Sequence, residues 1–303
     1  MMQQYHGIKK DHPDSILFFR MGDFYEMFNE DAKIASQILQ ITLTSRNKNQ
    51  TNPVLMCGIP HHSSNLYITK LLNAGKKVAL CEQTEDPKFA KGLVKREVVR
   101  IITPGTVLDD HMLDPKSDQL IVSIFISKTE VGLATLDVST GAFKITQFNG
   151  DKTGSPLADE LLKLAPKEIL IPETLMDQPK PWLPVGDPFL HSWEDWTYSH
   201  SEAVRNLLSH FKTQSLEGFG CENMNHGISA AGALIHYLHE TQKSALEHIN
   251  TISPFYTHDY MALDQSTVTS LELIQSSEGT RKNSLLNLID ESCTPMGARR
   301  IRE

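Results

Sequence analysis

The stretch RMGDFYEMF, residues 20–28, sets large apolar side chains beside charged ones. Its glycine and its aromatic residues disfavour a helix and favour an extended chain. In an extended chain, side chains two residues apart point to the same face, so Phe24 and Glu26 share one face while Asp23 and Tyr25 share the other. The stretch therefore predicts a strand on which an aromatic ring and a carboxylate are buried together or exposed together.

The sequence on both sides of this strand predicts a mixed α/β domain. The pattern predicts one strand over residues 15–28 and then a helix over residues 29–40, with Asn29 at its N-cap. Residues 54–60 form a short apolar strand, and the helix after them is predicted to bury Leu66. Two more apolar strands precede a segment rich in Pro, Gly and acidic residues, which indicates the end of the domain.

A second α/β domain is predicted after this segment. Residues 119–148 alternate between apolar and polar side chains and contain turn residues, which predicts an antiparallel meander. The clearest of the helices that follow is predicted over residues 228–249, where apolar residues recur at helical spacing. The final helix begins at Pro295 and is cut short, so we expect a fragment of a longer protein. The predicted domains are residues 1–115, residues 116–248 and the start of a helical domain at residues 249–303.

Composition and charge exclude several classes of protein. No apolar run approaches the roughly 18 residues of a membrane span, and the start lacks a signal peptide, so we expect a soluble cytoplasmic protein. The net charge is −8, but residues 1–115 carry +1 and the remainder −9, so only the first domain faces phosphates without an opposing field. The four cysteines form no C-x-x-C pair and the histidines no H-E-x-x-H pattern. We therefore predict no metal site, and cysteines that are mostly buried thiols.

The residues alone allow several interpretations of what the first strand does. It is an aromatic-rich core strand with solvated acids, or it presents Phe24 and Glu26 together to a nucleic-acid base. A third interpretation is a metal-dependent nuclease that uses Asp23, Glu26 or Asp137, although opposite faces of a strand keep the first two apart. A module that binds only other proteins is the remaining class.

Eight sequence blocks occur in a fixed order along the whole chain. They are FRMGDFYEMFNEDA, LMCGIPHH, ALCEQTEDP, VVRIITPGT, LATLDVSTGAF, LEGFGCEN, AAGALIHYLHETQ and SCTPMGARR. With these blocks, the sequence resembles the bacterial MutS mismatch-recognition family. The resemblance implies a mixed-sheet α/β mismatch-recognition domain, then an RNase H-like α/β connector domain, then the start of an all-α core domain. Cys57 and His61 depart from the family pattern in the second block.

The resemblance implies a role for the ring and the acid. In that family, the aromatic residue that matches Phe24 stacks on a mispaired base from the minor groove, and the acid that matches Glu26 hydrogen-bonds to it. The implied function is recognition of mispaired or unpaired bases in duplex DNA, which initiates DNA mismatch repair. Attraction to phosphates must then come from other residues, and Arg46, Lys95 and Arg96 are the candidates.

The resemblance also bears on cofactors and partners. The chain contains no G-x-x-x-x-G-K-S/T stretch, so we expect no nucleotide site and no enzyme activity in it. ATP and Mg²⁺ are implied for an ATPase domain of the longer parent, a DNA-dependent ATPase. The implied partners are mismatched double-stranded DNA and, through the connector domain, MutL. The parent is implied to be a homodimer and the fragment a monomer.

The segment LDVSTGAF is predicted to be a hairpin turn at Ser139–Gly141, without a second carboxylate to join Asp137.

Overall fold

The structure is a computed structural model that divides into two compact units. The first unit contains Met1–Met112 and Leu238–Leu246, and the second contains Leu113–Tyr237 and Glu247–Glu303. The described residues are 1–46, 53–85, 92, 94–107, 119–128, 130–149, 155–184, 188–243, 246–256, 261 and 263–302. Most of the segment predicted to separate the domains, residues 108–118, lies outside them, and the predicted domain boundaries stay predictions. Within the described ranges, no helix has the length and apolar character needed to cross a membrane.

The first unit is built on one mixed sheet with helices against it. Its strands are β1 (Ser15–Met21), β2 (Phe24–Phe28), β3 (Thr44–Arg46), β4 (Val54–Pro60), β5 (Lys77–Gln83) and β6 (Arg96–Ile102). Its helices are α1 (Met2–Asp11), α2 (Asn29–Leu39) and α3 (Ser64–Asn73). The strand order is β3-β4-β2-β1-β5-β6; β1 and β5 are parallel, and the other neighbours are antiparallel. This arrangement confirms the predicted mixed-sheet α/β domain.

The stretch predicted as one strand is a hairpin. Met21 pairs with Phe24, so Gly22 and Asp23 form a two-residue turn between β1 and β2. Gly22 has φ +58°, a value that glycine adopts without a steric penalty, whereas Asp23 has no positive φ. The prediction of one continuous strand over residues 15–28 was wrong because a two-residue turn barely interrupts the apolar pattern on either side of it.

The second unit holds another mixed sheet. Its strands are β7 (Leu120–Ile126), β8 (Glu130–Asp137), β9 (Ala142–Asn149), β10 (Glu168–Pro172), β11 (Phe189–Trp193) and β12 (Ser253–Pro254), in the order β11-β10-β7-β8-β9-β12. β7 to β9 form the predicted antiparallel meander, and β10 and β11 extend it as parallel strands. The helices are α4 (Ser155–Leu164), α5 (His200–Phe211), α6 (Asn225–Gln242), α7 (Gln265–Ser270), α8 (Leu285–Ile289) and α9 (Pro295–Arg302). The predicted second α/β unit, with further helices after it, is confirmed.

Close backbone approaches fix how α6 lies against the second sheet. A Cβ atom added at Gly132 on β8 would lie 2.0 Å from the backbone C and O atoms of His226 in the first turn of α6. A Cβ at Gly232 would lie 2.2 Å from the Cα atom of Ala203 on α5. Only glycine permits these two contacts, so the sequence of β8 and α6 determines how closely the helix packs.

Three local predictions of helix bounds or burial were wrong. The N-cap of α2 is Phe28, and Asn29 follows it at φ +52°, a conformation that asparagine tolerates better than most residues. Leu66 is 72% exposed, because it lies on the face of α3 opposite its buried residues. The helix predicted over residues 228–249 ends at Gln242, before a residue with positive φ.

The cysteine prediction was confirmed: three are buried (Cys57, Cys81, Cys221) and one is exposed (Cys293).

Candidate nucleic-acid interface

One face of β2 changes from exposed to buried within five residues. Phe24, at the turn end, is 49% exposed, Glu26 is partly buried, and Phe28 is only 1% exposed. Tyr25 and Met27 lie on the other face and are buried. The prediction that Phe24 and Glu26 share a face is therefore confirmed. Phe24 is thus a large ring held in solvent next to a partly buried acid on the same face of the strand.

The acid on this face has a cationic neighbour. Glu26 Oε2 lies 3.6 Å from Nη1 of Arg46 on β3. Each of these two atoms is inaccessible to solvent and has no hydrogen-bond partner within the described part of the chain. Burial raises the pKa of Glu26 above its ordinary value, and the charges of Arg46 and then Arg96 counteract part of this rise.

The hairpin turn that carries Phe24 is held by side chains on both sides. Arg20 Nε donates a 2.6 Å hydrogen bond to the carbonyl of Gly22. The backbone N–H of His61 donates to the carbonyl of Asp23 at 2.9 Å, and His61 Nδ1 lies 3.2 Å from the same oxygen. Both turn carbonyls are thus bound by protein groups, so the turn has a defined position before any ligand arrives.

The opposite face of β2 is fixed to the sheet through Tyr25. Its hydroxyl donates a hydrogen bond to Glu82 on β5, and Arg20 Nη1 lies 3.7 Å from the same carboxylate. The guanidinium of Arg20 also lies 5.5 Å from the centroid of the Tyr25 ring. Burial and the bond to Glu82 both raise the pKa of the Tyr25 hydroxyl, so it stays a donor at neutral pH. Tyr25, Glu82 and Arg20 therefore anchor the strand from behind the exposed pair.

Two of the predicted phosphate-binding residues occupy very different positions. Arg96 is 6% exposed; it donates through Nε to Arg20 O at 2.7 Å and through Nη1 to Val94 O at 2.9 Å. A phosphate contact by Arg96 would break these bonds. The side chain of Lys95 is 59% exposed and pairs with Glu97 at 2.7 Å, so a phosphate could reach it.

Arg96 completes the backbone hydrogen bonding at the end of β1. The parallel pairing of β1 with β5 extends only to Phe19 and Cys81, so the carbonyl of Arg20 has no strand partner on that side. The guanidinium of Arg96 reaches this carbonyl and lies 5.1 Å from the Phe19 ring centroid. Arg96 thereby supports the strand that leads into the turn.

The carboxylates of the nuclease reading do not form a cluster. Asp23 lies in the turn, where its carbonyl binds His61, and Glu26 faces Arg46. Asp137 Oδ1 accepts hydrogen bonds from Ser139 N at 2.8 Å and from the Ser139 hydroxyl at 2.6 Å, which confirms the predicted hairpin turn. Across the described residues, no group of three or more His, Cys, Asp or Glu side chains is arranged to hold a metal ion.

Sequence reasoning missed the residues that position the pair. Arg20, His61 and Glu82 were not predicted as part of the site, although all three contact the hairpin. A usable signal was the Gly-Asp dipeptide in the middle of an apolar run, which is typical of a two-residue hairpin turn. The contact partners themselves follow only from the register of the strands.

The fold and the site together define a class. They are those of a modular α/β protein, in which one mixed α/β unit presents an aromatic ring and an acid on an anchored hairpin and a second mixed α/β unit follows it. Comparison with known proteins identifies the family. Residues 1–111 match the family model of MutS domain I, and residues 119–250 match that of MutS domain II. The chain belongs to the MutS family.

Relatives with similar sequences extend well beyond this chain. The chain is 47% identical over 308 residues to the DNA mismatch repair protein MutS of Halothermothrix orenii, covering 100% of this chain and 34% of that protein. It is 44% identical over 303 residues to the protein of the same name from Desulfatibacillum aliphaticivorans, covering 99% and 34%. The chain therefore spans about a third of the length of the curated relatives that it matches.

Proposed function

We propose that this chain recognises mispaired or unpaired bases in duplex DNA, as the part of a mismatch repair protein that contacts the lesion. The observation that carries the proposal is the exposed Phe24 beside Glu26 on a hairpin whose turn and rear face are both anchored. Membership of the MutS family and the names of its relatives, which are DNA mismatch repair proteins, support it. In this proposal Phe24 stacks on the base and Glu26 hydrogen-bonds to it.

The exposed ring of Phe24 is suited to detect how easily a DNA base step deforms. Stacking a ring on a base gains about 1–3 kcal/mol, while opening and kinking a base step costs a few kcal/mol. A mispaired or unpaired base has already lost part of its pairing and stacking, so the same insertion costs less there. Phe24 would thus select sites by how easily they deform rather than by their sequence.

Glu26 adds a chemical criterion to this mechanical one. A carboxylate placed against the phosphates of DNA is repelled unless a base offers it an N–H donor or the acid is protonated. A displaced base can turn such a donor towards Glu26, whereas an intact pair uses its donors in pairing. Glu26 would therefore weaken binding to intact duplex more than binding to a mismatch.

The remaining contacts and partners extend the proposal. Lys95 is the best exposed of the three candidate phosphate-binding residues, and its loss should lower the salt dependence of binding. We propose that the chain itself is no enzyme, and that ATP and Mg²⁺ act in a part of the longer protein outside this sequence. Docking of MutL on the second unit, homodimerisation of the longer protein, a monomeric state of this chain and a cytoplasmic location belong to the same proposal.

The test is a fluorescence anisotropy titration at low salt. The 303-residue chain is titrated with a duplex carrying one unpaired base and with its matched homoduplex, alongside Phe24→Ala. Leu66→Ala is the matched control, because it also removes an exposed apolar side chain from the first unit. We expect a preference for the unpaired base that falls about tenfold or more in Phe24→Ala and stays in Leu66→Ala.

Other results would point to the other classes of protein. A preference that survives Phe24→Ala contradicts the proposed role of the ring. Failure to bind any duplex would favour a module that contacts only proteins. Nicking of the duplex in the presence of Mg²⁺, abolished by Glu26→Gln, would favour the nuclease reading.

A further inference from the structure

Arg46 and Glu26 face each other across an intervening strand. β4 lies between β3 and β2; Arg46 pairs with Val54 on one side of it, and Glu26 pairs with Gly58 on the other. Val54 and Gly58 are four residues apart on one strand, so the side chains of Arg46 and Glu26 lie on the same face of the sheet. Because Gly58 has no side chain, no side chain of β4 projects from the position that pairs with Glu26.

The distance between the two groups is that of an ion pair without a hydrogen bond. Nη1 and Oε2 are 3.6 Å apart, and both atoms are closed to solvent, while 42% of the Arg46 side chain and 20% of the Glu26 side chain remain accessible. A carboxylate in this position needs a nearby cation, because burial without one strongly disfavours its charge. Within the described residues, the charged groups that act on Glu26 are Arg46 from β3 and the more distant Arg96 from β6.

We propose that Arg46 is the counter-ion of Glu26 and determines how strongly DNA repels the face of β2 that carries Phe24 and Glu26; this inference rests on the proposed function. The guanidinium offsets part of the carboxylate's charge, so the repulsion between Glu26 and the phosphates stays small enough for an N–H donor of a displaced base to overcome it. Arg46 thus acts through Glu26 and is not an independent phosphate contact. A displaced base then finds an ionised acceptor that needs no proton to enter the groove.

The first test is a titration that requires no DNA. The ¹³C signals of the glutamate carboxyl groups of the free chain are followed against pH, and the signal of Glu26 is identified by its absence in Glu26→Gln. We expect Arg46→Gln to move the Glu26 midpoint to higher pH and Arg46→Lys to restore most of the change. Lys33→Gln is the matched control, since it removes one positive charge that pairs with Glu30 at 2.6 Å. A midpoint that does not move in Arg46→Gln overturns the proposal.

The second test is a double-mutant cycle on binding to the unpaired-base duplex. Arg46→Gln should weaken binding about tenfold in the protein with Glu26, because the carboxylate then faces the phosphates uncompensated. The same change should have a much smaller effect in the Glu26→Gln background. An equal loss in both backgrounds would show an independent phosphate contact and contradict the proposal. A chain without any preference for the unpaired base refutes the proposed function instead, and the titration still decides whether Arg46 is the counter-ion.

Discussion

The hydroxyl of Tyr25 donates a hydrogen bond to Glu82, a residue 57 positions further along the chain, on the face of β2 opposite to Phe24. The strand is therefore held from one side and exposed on the other. Residue 25 is flanked by the two residues proposed to contact DNA, so any movement of Tyr25 would displace both. The positions of Phe24 and Glu26 thus depend on a buried side chain on the opposite face of the strand.

Removal of the Tyr25 hydroxyl should loosen this anchor. We expect Tyr25→Phe to lower the free energy of unfolding by about 1–2 kcal/mol, because a partly buried hydrogen bond to a carboxylate is lost. Tyr67→Phe is the control, since its hydroxyl has no hydrogen-bond partner among the described residues, and it should change the value by less than about 0.5 kcal/mol. Urea unfolding followed by circular dichroism measures both, and equal effects of the two variants would speak against the anchor.

The neighbouring cations Lys95 and Arg96 should differ sharply in their effect on stability. Arg96→Met leaves the carbonyls of Arg20 and Val94 without their donors and should cost about 2–4 kcal/mol. Lys95→Met removes an exposed side chain and should cost less than about 1 kcal/mol. Thermal unfolding of the two variants and the wild type makes the comparison. Similar melting temperatures for both variants would mean that Arg96 does not support the hairpin.

The stability of the protein should depend on pH through Glu26. Its pKa is raised in the folded state, so the folded chain keeps this proton to a higher pH than the unfolded chain does. Below the ordinary glutamate pKa of about 4.3, Glu26 is protonated in both the folded and the unfolded chain, so its burial carries no charge penalty. As the pH rises through the folded-state pKa, the buried carboxyl ionises and the free energy of unfolding falls. Glu26→Gln should therefore match the wild type in acid and exceed its stability at neutral pH. Urea unfolding between acidic and neutral pH measures the gap, and a gap that closes towards neutral pH would reverse the sign of this argument.

A methyl group at Gly132 should disrupt the second unit. Its Cβ would overlap the backbone carbonyl of His226, and neither backbone segment can move aside without disturbing β8 or α6. We expect Gly132→Ala to cost about 3 kcal/mol or more, whereas Gly218→Ala, with open space around it, should be nearly neutral. All three tryptophans, Trp182, Trp193 and Trp196, lie in this unit, so their fluorescence reports its unfolding directly. Two variants of equal stability would contradict the close approach.

Local patterns in the sequence predicted the classes of structure well. The alternation over residues 119–148 predicted the meander, and the spacing of Phe24 and Glu26 predicted their common face, because both depend only on the two-residue period of a strand. The turn at Gly22 was missed, since the apolar pattern continues on both sides of it. Leu66 was assigned to the wrong face of α3, because hydrophobicity by itself does not say which side of a helix meets the core.

The candidate site was predictable only in its exposed half. Phe24 and Glu26 are close in sequence, so their relation follows from local geometry. The partners of this pair come from other strands: Glu82 reaches Tyr25 from β5, and Arg46 reaches Glu26 from β3. Such contacts depend on strand order and register, which a single sequence does not specify. For the same reason, exposed Lys95 could not be told apart from buried Arg96 beside it.

The bound carbonyls of the Gly22–Asp23 turn have a consequence for the timing of recognition. A loop that had to order itself on the DNA would lose conformational entropy at every encounter, at matched and mismatched sites alike. In this hairpin that entropy has already been lost during folding, so under the proposed function the protein would meet each base step with a turn of fixed shape. Differences in binding energy between one base step and the next would then come almost entirely from the stiffness of the DNA and hardly at all from the protein.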